Sequence, residues 1–184
     1  MDIKIIDTQD GLKEVVQKLK SETIIGVDTE TRLFGNPPAL CLIQIAAQDS
    51  CWLIDPLAIE DISPLKEIFE NHKIVKAIHF AGFERSVLRP FGIELHNVYD
   101  TCTHSRKLRG RKVSGGHNLK DVSFRELGIV MDKSYQRADW TTRPLTEGMI
   151  QYAALDAIVL VKIYKIFKSI SKPNSEEDFM EPPF

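Results

Sequence analysis

The sequence has few cysteines, no long apolar run and no excess of positive charge. Its three cysteines, Cys41, Cys51 and Cys102, form no CxxC pair, and an odd number without a framework favours reduced thiols over disulfides or zinc ligands. The apolar runs are far shorter than the roughly 20 residues of a membrane span, and the first residues lack the pattern of a signal peptide. We therefore expect a soluble, cytoplasmic protein without a membrane partner.

The net charge of −2 at pH 7 gives the protein no overall attraction for nucleic acid. A nucleic-acid partner would have to be held by a local cationic patch or through metal ions, because phosphate affinity comes from nearby positive charge. A chain of 184 residues with 43% hydrophobic content suits one packed α/β domain and is too short for two. We expect this domain to occupy residues 1–170, followed by a flexible acidic, proline-containing tail over 171–184.

Hydrophobic periodicity predicts strands first, then alternating strands and helices, then mainly helices. The predicted strands cover 3–6, 23–27, 40–47, 51–54 and 74–78, the third and fourth joined by a turn at Asp49-Ser50. A first helix follows the capping residues 7–10, and later helices cover 64–69 with Ser63 as cap, 81–89, 101–108 with Asp100 as cap, 119–127 and 146–170. This order indicates a mixed sheet of about five strands with helices on its faces.

Two groups of acids stand out in this pattern. Asp28 and Glu30 follow an apolar strand, and alternation along a strand points both side chains to one face. Tyr152 and Asp156 are four residues apart in a predicted helix and share a helix face. Acids at a strand end and on a helix face can hold hard divalent cations, and two such cations can drive in-line phosphodiester displacement.

Seven segments, two of which contain these acids, follow one another along the chain. They read GVDTE (26–30), ALCLIQIA (39–46), HFAGFERSVL (79–88), NVYDT (97–101), GHNLKDV (116–122), ADWTTRPL (138–145) and YAALD (152–156). In this order and spacing, the chain resembles the ribonuclease D-like group of DEDDy 3′-5′ exonucleases over about residues 23–168. The resemblance implies an α/β fold of the ribonuclease H-like class, a mixed central sheet flanked by helices. It also implies metal-dependent hydrolysis of RNA or short oligonucleotides from the 3′ end to nucleoside 5′-monophosphates.

The same resemblance implies roles for individual residues. Asp28, Glu30 and Asp156 would ligate one divalent ion, Mg²⁺ or Mn²⁺, and Asp28 would bridge to a second. Tyr152 would orient the attacking water and help to deprotonate it, which is chemically reasonable for a hydroxyl beside paired cations. The predicted catalytic set is completed by Glu84, which is also the fourth predicted metal ligand.

Glu84 departs from the family pattern, which has Asp at this position. Its carboxylate extends further by one methylene, ~1.5 Å along a C–C bond, and Mg²⁺ requires near-ideal octahedral geometry. The resulting hypothesis is an active enzyme with greater tolerance of Mn²⁺. The alternative is a catalytically weakened nucleic-acid-binding or scaffolding module with the same fold.

Candidates for substrate binding come from the neighbourhood of these acids and from the one dense cationic run, residues 106–112. That run reads as a basic loop suited to phosphate contacts, and the aromatic residues suit stacking on bases. A solvated loop is the open alternative for the run, and structural packing is the more common role of a lone histidine such as His79. The candidates are Leu33, Phe34, His79, Phe83, Arg106, Lys107, Arg109 and Arg111.

The expected partner is nucleic acid, with RNA or short oligonucleotides favoured over long duplex DNA. The chain stops soon after the helix of Asp156, so we expect it to prefer short substrates or to gain grip by forming a homo-oligomer. A DNA-directed 3′-5′ exonuclease stays an alternative, because the contacts to the 2′-OH that distinguish RNA from DNA cannot be located from sequence.

Overall fold

The computed structural model describes residues 2–32, 39–48 and 50–171. Within these ranges the strands are β1 (Asp2–Ile6), β2 (Ile24–Thr31), β3 (Leu40–Ala46), β4 (Ser50–Ile54), β5 (Val75–Ile78) and β6 (Val98–Asp100). The α-helices are α1 (Gln9–Leu19), α2 (Lys66–Phe69), α3 (Gly82–Leu88), α4 (Thr101–Arg109), α5 (Leu119–Leu127) and α6 (Glu147–Ile170). Two short 3₁₀ turns, Ser63–Leu65 and Arg89–Phe91, complete the regular structure.

The six strands form one sheet in the order β1-β4-β3-β2-β5-β6. The central pairs β2/β3 and β3/β4 are antiparallel, and the other pairs are parallel. Asp28 lies opposite Gln44, and Glu30 lies opposite Leu42. The acidic strand β2 therefore lies inside the sheet, where its register is fixed by a neighbour on each side.

Polar caps define where several helices begin. Each of four side chains accepts a hydrogen bond from a backbone N–H of the first turn that follows it, which satisfies donors the helix itself leaves free. The four caps are Thr8 before α1, Asp100 before α4, Asn118 before α5 and Thr146 before α6. The sequence-based cap at Asp100 and the bounds of α5 are confirmed.

Helices cover both faces of the sheet. On one face, Leu12, Val16 and Leu19 of α1 pack with Phe69 of α2 and with Ile43 and Ile45 of β3, among other buried side chains. On the other face, the small residues Ala153, Ala154 and Ala157 of α6 pack against Leu42 and Ala46 of β3 and Leu53 of β4. Small side chains let α6 lie close to the sheet, and this closeness builds the functional site.

The structure corrects several sequence-based bounds. The sheet has a sixth strand, β6, which was not predicted because its three residues are too few for a periodic signal. Strand β2 continues through Asp28 and Glu30 to Thr31, since β3 pairs with it along that length. Ser63 does not cap a helix: its hydroxyl donates to Asp61, 2.8 Å away, and it begins a 3₁₀ turn. The α-helical part of this segment is only α2.

Three predictions fall wholly or partly outside the described residues. They are the loop from 32 to 38 with Leu33 and Phe34, residue Asp49 of the hairpin turn, and the tail beyond residue 171. Within the described ranges, no helix is both long enough and apolar enough to cross a membrane.

Candidate active site

Strand β2 and helix α6 meet at Gly26. A Cβ atom placed on Gly26 would lie 2.1 Å from the carbonyl oxygen of Ala157, far inside the contact distance of real atoms. Gly26, Asp28 and Glu30 are spaced two residues apart along the strand, so all three face α6. Asp156 directly precedes Ala157 in the helix, and the close approach therefore places Asp156 beside the two acids of β2.

The three acids converge on one point. Asp28, Glu30 and Asp156 each offer a carboxylate oxygen, and these oxygens all lie within 4.8 Å of one another. Burial raises the pKa of all three above the ordinary range. The charges of Asp28 and Asp156 raise the pKa of Glu30 further, because each acid ionises against its neighbours.

Glu84 lies in the first turn of α3 and lines the same cleft. It is only 3% exposed, and its Oε2 atom is buried without a hydrogen-bond partner. Burial, followed by the charge of Asp28, raises the pKa of Glu84 to about 8. Glu84 thus faces the group of three without belonging to the set of oxygens within 4.8 Å of one another.

The four carboxylates fit a divalent-cation site. Among the residues that the structure describes, Arg32 set aside, no lysine or arginine forms an ion pair with any of them. Glu84 and Asp156 are buried and Asp28 and Glu30 are partly buried, which is costly for charged groups, and Oε2 of Glu84 has no hydrogen-bond partner at all. Hard cations such as Mg²⁺ take oxygen ligands of this kind and supply the missing positive charge.

Tyr152 completes the group on α6. Its hydroxyl lies near the carboxylate of Asp156, one helical turn along α6. Burial and the nearby acids raise the pKa of Tyr152, so the phenol keeps its proton at neutral pH. The rings of Tyr135 and Trp140, each with its centroid 6.0 Å away, hold the Tyr152 ring in place.

These groups line a cleft of about 260 Å³. Of the predicted substrate-binding residues, His79 and Phe83 line it as well. Sequence reasoning missed six polar residues that also line the cleft, and the only signal for three of them was their position in the segments 26–30 and 116–122. The missed residues are Thr29, Asn118, Lys120, Asp132, Lys133 and Gln136.

His79 is a neutral, hydrogen-bonded group that follows the end of β5. Its Nδ1 lies 2.8 Å from the Thr101 hydroxyl, which itself donates to the carbonyl of Ile78. Since that hydroxyl proton is used, His79 donates from Nδ1 and the hydroxyl accepts. Burial lowers the pKa of His79 to about 4, so it carries no positive charge near neutral pH.

The predicted basic loop is in part a helix. Arg106, Lys107 and Arg109 lie in the last turn of α4, where cations favour the negative end of the helix dipole. Arg109 donates two hydrogen bonds to Glu126, of 3.0 and 2.6 Å, and this pair occupies its guanidinium. Arg106 and Arg111 line a second cavity beside the acidic cleft, whereas Lys107 lines neither.

The chain matches the sequence profile of a 3′-5′ exonuclease family over residues 3–172. This chain belongs to that 3′-5′ exonuclease family. It is 35% identical over 171 residues to the exosome complex component 10 homolog of Caenorhabditis elegans, covering 90% of this chain and 19% of that protein. It is also 35% identical over 167 residues to ribonuclease D of Escherichia coli, covering 89% of this chain and 43% of that protein.

Solved structures share the fold. The crystal structure of Escherichia coli RNase D, described as an exoribonuclease involved in structured RNA processing, has a TM-score of 0.80 and 32% identity, covering 92% of this chain and 46% of that one. Brucella melitensis NrnC with bound Mg²⁺ has a TM-score of 0.75 at 24% identity, covering 92% and 81% of the two chains. The predicted ribonuclease H-like fold and ribonuclease D-like grouping are thereby confirmed. The chain spans less than half of the curated relatives named here.

Proposed function

We propose that this exonuclease hydrolyses the terminal phosphodiester bond at the 3′ end of RNA or short oligonucleotides and releases nucleoside 5′-monophosphates. The observation that carries the proposal is the convergence of three carboxylates within 4.8 Å, with Glu84 facing them across the same cleft. We place the catalytic domain within residues 1–170. Formation of a homo-oligomer stays a prediction.

Asp28, Glu30, Glu84 and Asp156 would hold two divalent ions, either Mg²⁺ or Mn²⁺. When bound, such ions stabilise the charge that develops on the attacking and leaving oxygens of an in-line displacement. The carboxylates themselves arrive prearranged, since the sheet fixes Asp28 and Glu30 and the Gly26 contact fixes Asp156. Little reorganisation is then required when substrate binds.

Tyr152 would position the attacking water. The Tyr152 side chain lines the cleft beside the acids, and its raised pKa keeps the hydroxyl protonated. The phenol oxygen can accept a hydrogen bond from the water while its own proton points to Asp156. Positioning of this kind matters because a displacement of about 1 Å can cost roughly 10²-fold in rate.

The cleft suits the end of a single strand. Its volume of about 260 Å³ is far too small for a duplex. Lys120 and Lys133, which line it with the acids, can contact phosphate, and Phe83 can contact a base or sugar. The names of the relatives, ribonuclease D among them, support RNA as the substrate.

Glu84 in place of the family's Asp supports a shift in metal preference. The longer side chain is buried, with one oxygen free of hydrogen bonds, so its carboxylate is available to a cation. Mg²⁺ requires near-ideal octahedral ligation, and an ion with less strict demands, such as Mn²⁺, should accept the displaced oxygen better. We infer a higher ratio of Mn²⁺-supported to Mg²⁺-supported activity in the unaltered chain than in a Glu84→Asp variant.

The test is incubation of 5′-labelled RNA, DNA and dinucleotides with the protein in Mg²⁺ or Mn²⁺, with Asp28→Ala as the control. The proposal predicts a ladder that shortens from the 3′ end and is absent with the variant. Binding of RNA without degradation in either metal would instead support a scaffolding module.

A further inference from the structure

A second cavity of about 410 Å³ adjoins the acidic cleft, and His79 and Asn118 line both spaces. This volume lies within the roughly 300–1,000 Å³ of typical ligand sites. A strand whose 3′ end lies in the acidic cleft therefore has space for its next nucleotide on the far side of His79. The other residues that line the second cavity are Phe80, Cys102, Arg106, Arg111 and His117.

The two arginines of this cavity are available to a ligand. Both are exposed, and neither forms a hydrogen bond or ion pair within the described part of the chain. Their neighbours on the same side of the molecule are engaged: Arg109 is paired with Glu126, and Arg125 donates to Gly116, Ser105 and Glu126. Guanidinium groups without a protein acceptor suit the oxygens of a phosphodiester.

Phe80 presents an aromatic ring at the mouth of the same cavity. It is 60% exposed and has a φ of +67°, a left-handed conformation that is unfavourable for a bulky residue. The Asp100 carboxylate stabilises this turn by accepting from the N–H groups of Phe80 and Ala81, at 3.3 and 3.1 Å. Asp100 also caps α4, the helix that carries Arg106, and so ties the backbone of the Phe80 turn to the start of that helix.

The wall that carries Arg111 is also fixed. His117 Nδ1 lies 2.8 Å from the hydroxyl of the buried Ser105 of α4, and its Nε2 lies 2.9 Å from the carbonyl of Gly110. Arg125 donates to the same hydroxyl and to the carbonyl of Gly116, at 2.8 and 2.9 Å. These bonds tie both ends of the 110–116 segment to α4 and α5, so the cavity exists before any ligand binds.

We propose that this cavity binds the nucleotide on the 5′ side of the scissile phosphate, with the Phe80 ring stacked on its base and Arg106 and Arg111 on its phosphates. The proposal rests on the proposed exonuclease function for the direction of the strand. The ligand is single-stranded RNA with at least one nucleotide upstream of the 3′ terminus. Any base can stack on an aromatic ring, so the site should strengthen RNA binding without sequence preference.

The binding test uses a 5′-fluorescein-labelled RNA pentanucleotide in EDTA, followed by fluorescence anisotropy. We expect Phe80→Leu, Arg106→Gln and Arg111→Gln each to raise Kd at least about fivefold, and Phe80→Tyr to bind as the unaltered chain does. Each arginine variant should reduce the slope of log K against log salt by about 0.7, whereas Phe80→Leu should leave the slope unchanged. Arg89→Gln, an exposed arginine that lines neither cavity, is the matched control.

The hydrolysis test separates this site from the acidic cleft. The p-nitrophenyl ester of thymidine 5′-monophosphate has a terminal nucleotide and no upstream one, so the same variants should hydrolyse it at the unaltered rate while their KM for the pentanucleotide rises. Equal losses on both substrates, unchanged pentanucleotide binding, or no binding by the unaltered chain would each overturn the upstream site. If the unaltered chain binds RNA but hydrolyses neither substrate, the exonuclease proposal fails. The binding measurements in EDTA then still show whether the second cavity binds RNA.

Discussion

Gly26 of β2 lies against the backbone carbonyl of Ala157 in α6, leaving no room for a side chain between strand and helix. This contact sets the depth at which α6 packs on the sheet. It also sets the distance between Asp28 and Asp156, which lie next to it on the two elements. Fold stability and the geometry of the acids therefore depend on the same atom-to-atom approach.

Gly26→Ala should push α6 away from β2. Forced overpacking in a core costs typically 1–3 kcal/mol, so the free energy of unfolding should fall by about that amount. Activity should fall as well, because Asp156 moves with the helix. Urea denaturation measures the first effect, and a rate with labelled RNA measures the second.

Gly82→Ala is the control for that change. Nothing lies within 4 Å of a Cβ at Gly82, and the residue begins α3, so alanine should be neutral or stabilising by up to about 1 kcal/mol. Equal destabilisation by the two substitutions would contradict the role given to the Gly26 contact.

The Glu84 carboxyl should make metal-free stability depend on pH. Its pKa is raised from 4.5 to about 8 in the folded protein, so the folded state holds its proton more tightly than the unfolded state. Stability should therefore fall as the pH rises from about 4.5 to 8, because ionisation then disfavours folding. Thermal unfolding in EDTA across this range measures the effect, and Glu84→Gln should show a flatter profile than the unaltered chain.

Divalent metal should reverse this loss. An ion that binds only the folded state stabilises it in proportion to the logarithm of its concentration above Kd. Adding Mn²⁺ at about pH 8, where Glu84 ionises, should raise the melting temperature of the unaltered chain, and the rise should be much smaller for Asp28→Asn. A similar rise in both would place the ion elsewhere.

Tyr152→Phe should separate chemistry from metal binding. The substitution removes the hydroxyl near Asp156 and leaves all four carboxylates in place. We expect kcat for RNA hydrolysis to fall by about 10²-fold, because the attacking water is no longer held in place, with Mn²⁺ affinity by calorimetry changed by less than about threefold. A normal kcat would remove Tyr152 from the mechanism.

The ion pair between Arg143 and Asp55 helps to hold the segment that precedes α6. Arg143 donates from Nε and Nη2 to the two oxygens of the buried Asp55, and Nη2 also donates to the carbonyl of Cys41. Lysine cannot reproduce this fork, so Arg143→Lys should lower the free energy of unfolding by about 1–3 kcal/mol. The exposed Arg89→Lys should change it by less than about 0.5 kcal/mol. Chemical denaturation of the two variants measures the difference, and equal effects would contradict it.

Part of the site was predictable because its residues are close in sequence. Asp28 with Glu30, and Tyr152 with Asp156, share a face through the periods of a strand and a helix, and the structure has both pairs in this arrangement. The meeting of the two pairs was predicted through the family resemblance. Hydrophobic periodicity alone could not predict this meeting, because it depends on the close packing of the α6 backbone against Gly26.

Other features depend on contacts between segments that are distant in sequence. Lys133 reaches the cleft from a segment without a regular pattern, and Arg109 is turned to Glu126 of the next helix. The three residues of β6 are identified as a strand only by their pairing with β5. Each of these features depends on residues that are close in the fold and distant in the sequence. A single sequence does not show which residues these are.

The most direct test of the central claim is anomalous diffraction from crystals of the protein soaked in Mn²⁺ with an RNA dinucleotide whose scissile phosphate carries a phosphorothioate. We expect Mn²⁺ peaks among the carboxylates of Asp28, Glu30, Glu84 and Asp156, with the phosphorothioate beside them. Anomalous density absent from these four side chains at saturating Mn²⁺, or present only at other residues, would contradict it.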